Sequence, residues 1–143
     1  MSEPYHQLHV HLVWATWGRC PLIIPEIEEA LYACIQAECR ALKADPICIG
    51  GIEDHIHLLV KIPTTVSIAQ LVKQVKGASS HLATHRLNPA DGFKWQAAYG
   101  AFSVSLSHIP RIKAYILQQK THHSTKTLID QLEKTEELWN KDA

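Results

Sequence analysis

His55-Ile56-His57-Leu58-Leu59-Val60-Lys61-Ile62 is the stretch that decides how this chain folds. Side chains alternate across a β-strand, so Ile56, Leu58, Val60 and Ile62 share one face while His55 and His57 point together from the other. The apolar face asks for a core, and we read a strand over Asp54–Ile62. Just upstream, Ile47–Ile49 is a second short strand, and Gly50-Gly51 permits a tight bend between the two. The pair reads as an antiparallel hairpin with room for a bulge.

Working outward, Tyr5–Ala15 alternates in the same way, with Leu8, Val10, Leu12 and Trp14 opposite His9, His11 and Val13. Pro25 and Glu26 open a helix whose apolar stripe is Ile27, Leu31, Cys34, Ile35 and Leu42. Ser67 caps a second helix with the stripe Ile68, Leu71, Val72, Val75 and Leu82, and Lys73, Lys76 and Ser80 lie on its opposite face. After a polar loop at Asn88–Gly92, Trp95–Leu106 reads as extended. Ser107 is placed to cap a third helix, with Pro110 in its first turn, running through Tyr115 to about His122. A last polar helix is expected from about Thr125 to Trp139. The order β-α-β-β-α-β-α predicts an α+β fold: a ferredoxin-like antiparallel sheet, helices packed on one face, and a C-terminal helix carrying the tyrosine.

The bulk properties agree with one domain over 1–143, of which about 125–143 is a C-terminal helical extension. The chain has 143 residues, 46% of them apolar, with no repeat and no run long enough to span a membrane. Its start, Met-Ser-Glu-Pro-Tyr-His, lacks the basic and apolar stretches of a secretory signal, so an intracellular, cytoplasmic protein is expected. Cys20, Cys34, Cys39 and Cys48 show no CxxC spacing, which argues against a zinc ribbon. Fourteen basic and fourteen acidic residues leave no net charge, unlike a protein that coats duplex DNA, though a local basic groove is compatible with that balance. The unusual feature is ten histidines.

Two imidazoles at i and i+2 of a strand can share one divalent metal without distorting the backbone; they can equally be two residues of a solvated sheet face. His9 and His11 have the same spacing as His55 and His57, and spacing alone does not choose between the pairs. One pair can also support the other around a single ion. On the third helix, Tyr115, Gln119 and His122 stand at i, i+4 and i+7 and line one face. A phenol, an amide and an imidazole on one stripe make either a functional face or an amphipathic boundary whose tyrosine merely packs.

Taken together, several of these strings resemble the single-tyrosine HUH transposases, enzymes that move prokaryotic insertion sequences as single strands, and their relatives the REP-associated tyrosine transposases. The resemblance lies in His55-Ile56-His57, in Trp95-Gln96 with Tyr99 and Phe102-Ser103-Val104-Ser105, and in Tyr115-Ile116 followed by Gln119 and His122-His123. His11-Leu12-Val13-Trp14-Ala15-Thr16 with Arg19, and Lys76-Gly77 with Ser80, also look like the family, so the likeness spans about residues 8–125 in order. Trp17 departs from it, standing where many relatives have a lysine.

The resemblance implies that His55, His57 and Gln119 are metal ligands and that Tyr115 is the catalytic nucleophile; His122 and His11 are candidates for a supporting layer behind them. Two imidazoles and an amide oxygen suit Mg²⁺ or Mn²⁺, the latter tolerating nitrogen better; zinc would also bind. The implied reaction is transposition by DNA cleavage and rejoining at insertion-sequence ends, through a 5′-phosphotyrosine on single-stranded DNA with hairpin ends. The family also implies a homodimer with active sites shared between subunits. Arg19, Lys73, Lys76 and Lys94 are candidates for backbone contact, and Trp95 or Tyr99 for base stacking. The alternatives are a domesticated nuclease acting on repeated hairpins, and a non-catalytic ferredoxin-like module that binds single-stranded nucleic acid by its sheet.

Overall fold

In the computed structural model, which describes residues 4–136, the hairpin lies inside a four-stranded antiparallel sheet of order β2-β3-β1-β4. The strands are β1 (His9–Ala15), β2 (Asp45–Ile52), β3 (His55–Lys61) and β4 (Gly100–Val104). Helices α1 (Pro25–Ala41) and α2 (Ile68–Leu82) connect them, and α3 (Ile109–Leu117) and α4 (Gln119–Thr125) follow. This is the expected ferredoxin-like α+β arrangement. Among the described residues no helix is long and apolar enough to cross a membrane.

The core forms where the period-two pattern meets the helical stripes. Leu12 and Trp14 of β1 and Ile56, Leu58 and Val60 of β3 pack against Ile27, Leu31 and Ile35 of α1 and Leu71, Val72 and Val75 of α2. Pro25 stands in the first turn of α1 with Glu26 and Glu28, where the helix dipole favours negative charge. The helix ends in paired reverse bonds, Ala44 N–H to the Cys39 carbonyl and Lys43 N–H to that of Arg40, with Lys43 left-handed at φ 63°. Ser67 caps α2 as expected, its hydroxyl accepting from the Gln70 N–H at 3.0 Å.

The opposite face of the sheet is covered as well. Ile116 of α3 packs there on Cys48, Leu59 and Val104, so the tyrosine helix has its own small core. Gly50 makes that approach possible. A Cβ at this position would fall 2.3 Å from the Ile116 carbonyl oxygen. The Gly50-Gly51 pair therefore does not form the bend anticipated from sequence: both residues lie within β2, and the chain turns at Glu53–Asp54 instead. The bulge is present, in β2 between Pro46 and Cys48.

Three further boundaries differ from the sequence reading. Regular pairing in the extended segment is confined to Gly100–Val104, with one isolated bridge between Trp95 and Thr16. Ser107 sits inside a short 3₁₀ turn, Leu106–His108, and His108 takes the position before α3. The helix expected to run unbroken to His122 is divided at Gln118 (φ −105°, ψ 22°). Among the described residues beyond Thr125 the expected polar helix does not form. Lys126 turns left-handed at φ 58°, and the chain folds back through a 3₁₀ turn at Asp130–Glu133. The end of the expected helix, 137–139, lies outside the described residues.

Gly50→Ala is expected to lower stability by roughly 1–3 kcal/mol, the usual cost of forcing an atom into filled space. Ser67→Ala should cost about 1 kcal/mol through the lost cap. Urea denaturation followed by circular dichroism checks both, and an unperturbed Gly50→Ala would mean that α3 does not press on β2.

Candidate active site

The outer faces of β1 and β3 carry the imidazoles. The register pairs His11 with Leu59 and Val13 with His57, so His11 and His57 are diagonal neighbours across the two strands. Their rings meet at 2.7 Å between His11 Nε2 and His57 Nδ1, both fully buried. Burial and the neighbouring His57 push His11 down to about 3, and burial also lowers His57. With His11 Nε2 engaged and His57 Nε2 left over, His11 stands behind His57 rather than competing with it. His9 is buried too, on the same strand, but its Nδ1 has no partner.

His55 is oriented from behind by its neighbour in sequence. Asp54 Oδ1 lies 2.7 Å from His55 Nδ1, leaving Nε2 to face the space between sheet and helix. Burial alone would lower the His55 pKa, but the bonds and charges of Asp54 and Glu133 outweigh it and raise it to about 9. The cluster draws positive charge to this point.

α3 and α4 bring the other half. Tyr115 meets His57 edge-on with ring centroids 5.9 Å apart. The break at Gln118 turns the next residues toward the sheet, placing Gln119 Oε1 3.3 Å from His55 Nε2. His122 stacks on the Tyr115 ring at 4.8 Å, and its Nδ1 lies 2.8 Å from the Thr127 hydroxyl. Gln119 thus reaches the histidine pair, Tyr115 meets His57 and His122 meets the tyrosine, within one chain.

Two residues at the site were not anticipated. His123 Nε2 lies 3.2 Å from His55 Nε2 and 3.0 Å from Gln119 Oε1. Its signal was legible, since it follows Gln119 by four residues. Glu133 had none, because it arrives on a segment read as a separate helix. Its Oε2 is 2.5 Å from His57 Nε2 and 3.6 Å from His55 Nε2, and its Oε1 accepts the Tyr115 hydroxyl at 3.1 Å. Burial would raise the Glu133 carboxyl, but its bonds to His55 and His57 hold it well below the usual carboxylate range. Tyr115 also accepts from the Ile129 N–H at 3.1 Å, and burial raises its hydroxyl above the ordinary phenol value.

This returning segment seals the site. Gly100 makes room for it, since a Cβ there would collide with the Lys134 carbonyl oxygen. Relative exposure is 5% for Tyr115, 2% for His55, 1% for Gln119 and 0% for His57, too little for any of them to touch a macromolecular substrate as the segment lies. The donor chemistry fits a divalent cation. His55, His57 and Glu133 offer ligand atoms within 4.8 Å of one another. His57 Nε2 and Glu133 Oε2, although adjacent, are both buried without a well-formed hydrogen bond.

The candidate nucleic-acid contacts separate into two groups. Arg19, Lys73 and Lys94 are exposed. Arg19 lines a groove of about 430 Å³ with Thr16, Gln96 and Glu133, and Lys94 lies 3.9 Å over the Trp17 ring. Lys76, by contrast, donates to the carbonyls of Gln96, Ala97 and Ala98, holding the chain ahead of β4. Trp95 is buried against Trp14 and Phe93 with its indole N–H on Ser79 Oγ, so its rings serve the core. Tyr99 packs, partly buried, against the same core.

Comparison with known proteins gives a consistent picture. Residues 4–119 match the profile of the family described as IS200-like transposases. The ISDra2 transposase TnpA of Deinococcus radiodurans is 27% identical over 119 residues, covering 80% of this chain and 85% of that protein. A crystal structure of a candidate transposase from Deinococcus radiodurans R1 superposes with a TM-score of 0.64 at 24% identity, covering 81% of this chain and 95% of that one. A REP-associated tyrosine transposase bound to a REP hairpin gives 0.63 at 13% identity, covering 92% and 78% respectively. At these identities the two structures speak for the fold.

His11→Ala is expected to weaken divalent-metal binding about 10–100-fold, as loss of an imidazole's outer partner commonly does. Calorimetric titration with Mn²⁺ checks this, and an unchanged affinity would remove His11 from the site.

Proposed function

Because this chain belongs to the IS200-like transposase family, we propose that it cuts and rejoins single-stranded DNA at insertion-sequence ends through a 5′-phosphotyrosine on Tyr115. The observation that carries the reading is the convergence of the Tyr115 phenol with His55, His57 and Gln119 in one buried cluster. His55, His57 and Gln119 would hold a divalent cation, Mg²⁺ or Mn²⁺. Bound there, such an ion supplies charge withdrawal from a non-bridging phosphate oxygen.

The chain's own residues position the rest. Tyr115, fixed between His57 and the stacked His122, presents its oxygen for in-line attack. As that oxygen bonds to phosphorus and loses its proton, the bond to the 3′ oxygen breaks, and the departing oxygen takes up a proton as a 3′ hydroxyl. Attack of another 3′ hydroxyl on the phosphotyrosine reverses these events and restores Tyr115, so rejoining needs no external energy source. Glu133 occupies the side of the cluster that a phosphate would approach, and DNA entry therefore requires residues 127–136 to withdraw.

Arg19, Lys73 and Lys94 are the side chains available to the DNA backbone, while Lys76 acts by holding the segment that leads to β4. Hairpin-ended single strands are the expected substrate and the cytoplasm the expected setting. Exchange of α3 and α4 between two copies would rebuild the same cluster, so a homodimer with shared sites is part of the proposal. A nuclease that cuts repeated hairpins would use the same chemistry on a different target.

Incubation with Mn²⁺ and labelled hairpin-ended single strands should yield a covalent protein–DNA adduct that resists denaturation. Tyr115→Phe should abolish it while leaving the fold intact. Absence of an adduct with wild-type protein across a panel of such ends would favour a binding module that does no chemistry.

A further inference from the structure

We propose that His123 is a further ligand of the cation, so that the site holds three imidazole nitrogens and one amide oxygen and prefers Mn²⁺ over Mg²⁺. The inference rests on the metal-assisted reading above and adds to it a residue and an ion preference.

The spacing of the donor atoms carries it. His55 Nε2, Gln119 Oε1 and His123 Nε2 form a triangle with sides of 3.3, 3.2 and 3.0 Å. Ligands about 2.1 Å from one ion lie about 3.0 Å apart at octahedral right angles and about 3.4 Å apart at tetrahedral angles. The three sides fall within that interval. His55 Nδ1 faces the Asp54 carboxylate, so Nε2 is the nitrogen turned toward the triangle. Gln119 Oε1 is an acceptor only, and the Glu133 carboxylate brings two more acceptors to the same spot. A cation among His55 Nε2, Gln119 Oε1 and His123 Nε2 would take a lone pair from each.

The helix break at Gln118 serves this arrangement. Gln119 and His123, four residues apart on α4, present both donor atoms side by side. Mg²⁺ favours oxygen ligands and near-ideal octahedral geometry, so three imidazoles penalise it, while Mn²⁺ accepts nitrogen more readily.

His81 and His85, exposed with rings 4.5 Å apart, form another imidazole pair, so the test is run in an H81A/H85A background. Metal-stripped full chain is loaded with one equivalent of Mn²⁺. Electron-spin-echo modulation then counts the ¹⁴N nuclei coupled to the ion, and the free Mn²⁺ signal gives the affinity. Three coupled nitrogens are expected, falling to two in both His123→Ala and His123→Asn. Mn²⁺ affinity should drop at least tenfold in His123→Ala, and Mg²⁺, measured by competition, should change less than threefold. An unaltered nitrogen count in both variants overturns the assignment of His123 and leaves the tyrosine chemistry standing. No Mn²⁺ binding by the parent protein would overturn both.

Discussion

The central constraint is the antiparallel pairing of β1 with β3. Both strands bury one face in the helical core and must turn their imidazoles to the other. Because the register sets His11 diagonal to His57, each ring fixes its neighbour, and His57 keeps one nitrogen for the space beneath α3. A slip of one residue would exchange core for site along the whole strand. The hydrophobic core is therefore what holds the histidines in place, and the site inherits its rigidity from the sheet.

Upon that floor the tyrosine helix is mounted by close contact rather than by a large apolar area. Ile116 settles among Cys48, Leu59 and Val104, and the missing side chain at Gly50 lets the helix backbone descend onto β2. The break at Gln118 then uses the remaining freedom. It ends one helix with Tyr115 against His57 and starts another with Gln119 and His123 against His55. The histidines and the tyrosine thus come from two rigid supports that meet at one surface, an arrangement suited to chemistry that depends on placement.

The returning segment brings polar partners to the tyrosine and the histidines at the centre. Ile129 and Glu133 hold the tyrosine hydroxyl between them, and Glu133 balances the charge that His55 attracts. Its seat on β4 depends on Gly100, where a side chain would collide with the Lys134 carbonyl oxygen and also with Val13 of β1. The same contacts that stabilise this arrangement close the cluster to any large molecule, so access to it requires the segment to open.

The sequence by itself determined the sheet, its helical layer and most of the site. Period-two alternation around His55 and His57, the stripes of α1 and α2, and the Ser67 cap are local patterns that the physics of strands and helices makes legible. Tyr115, Gln119 and His122 were legible as a helical face, and the family resemblance chose His55 and His57 over His9 and His11. Tertiary structure alone decided the rest. The break at Gln118 has no proline or glycine to announce it, and Gly50-Gly51 looked like a bend because the backbone it admits lies some sixty residues away (66 from Gly50 to Ile116). Glu133 reaches His57 only after the chain reverses at Lys126. These features answer to contacts between distant segments, and a contact energy shared by two segments leaves no periodic mark in either.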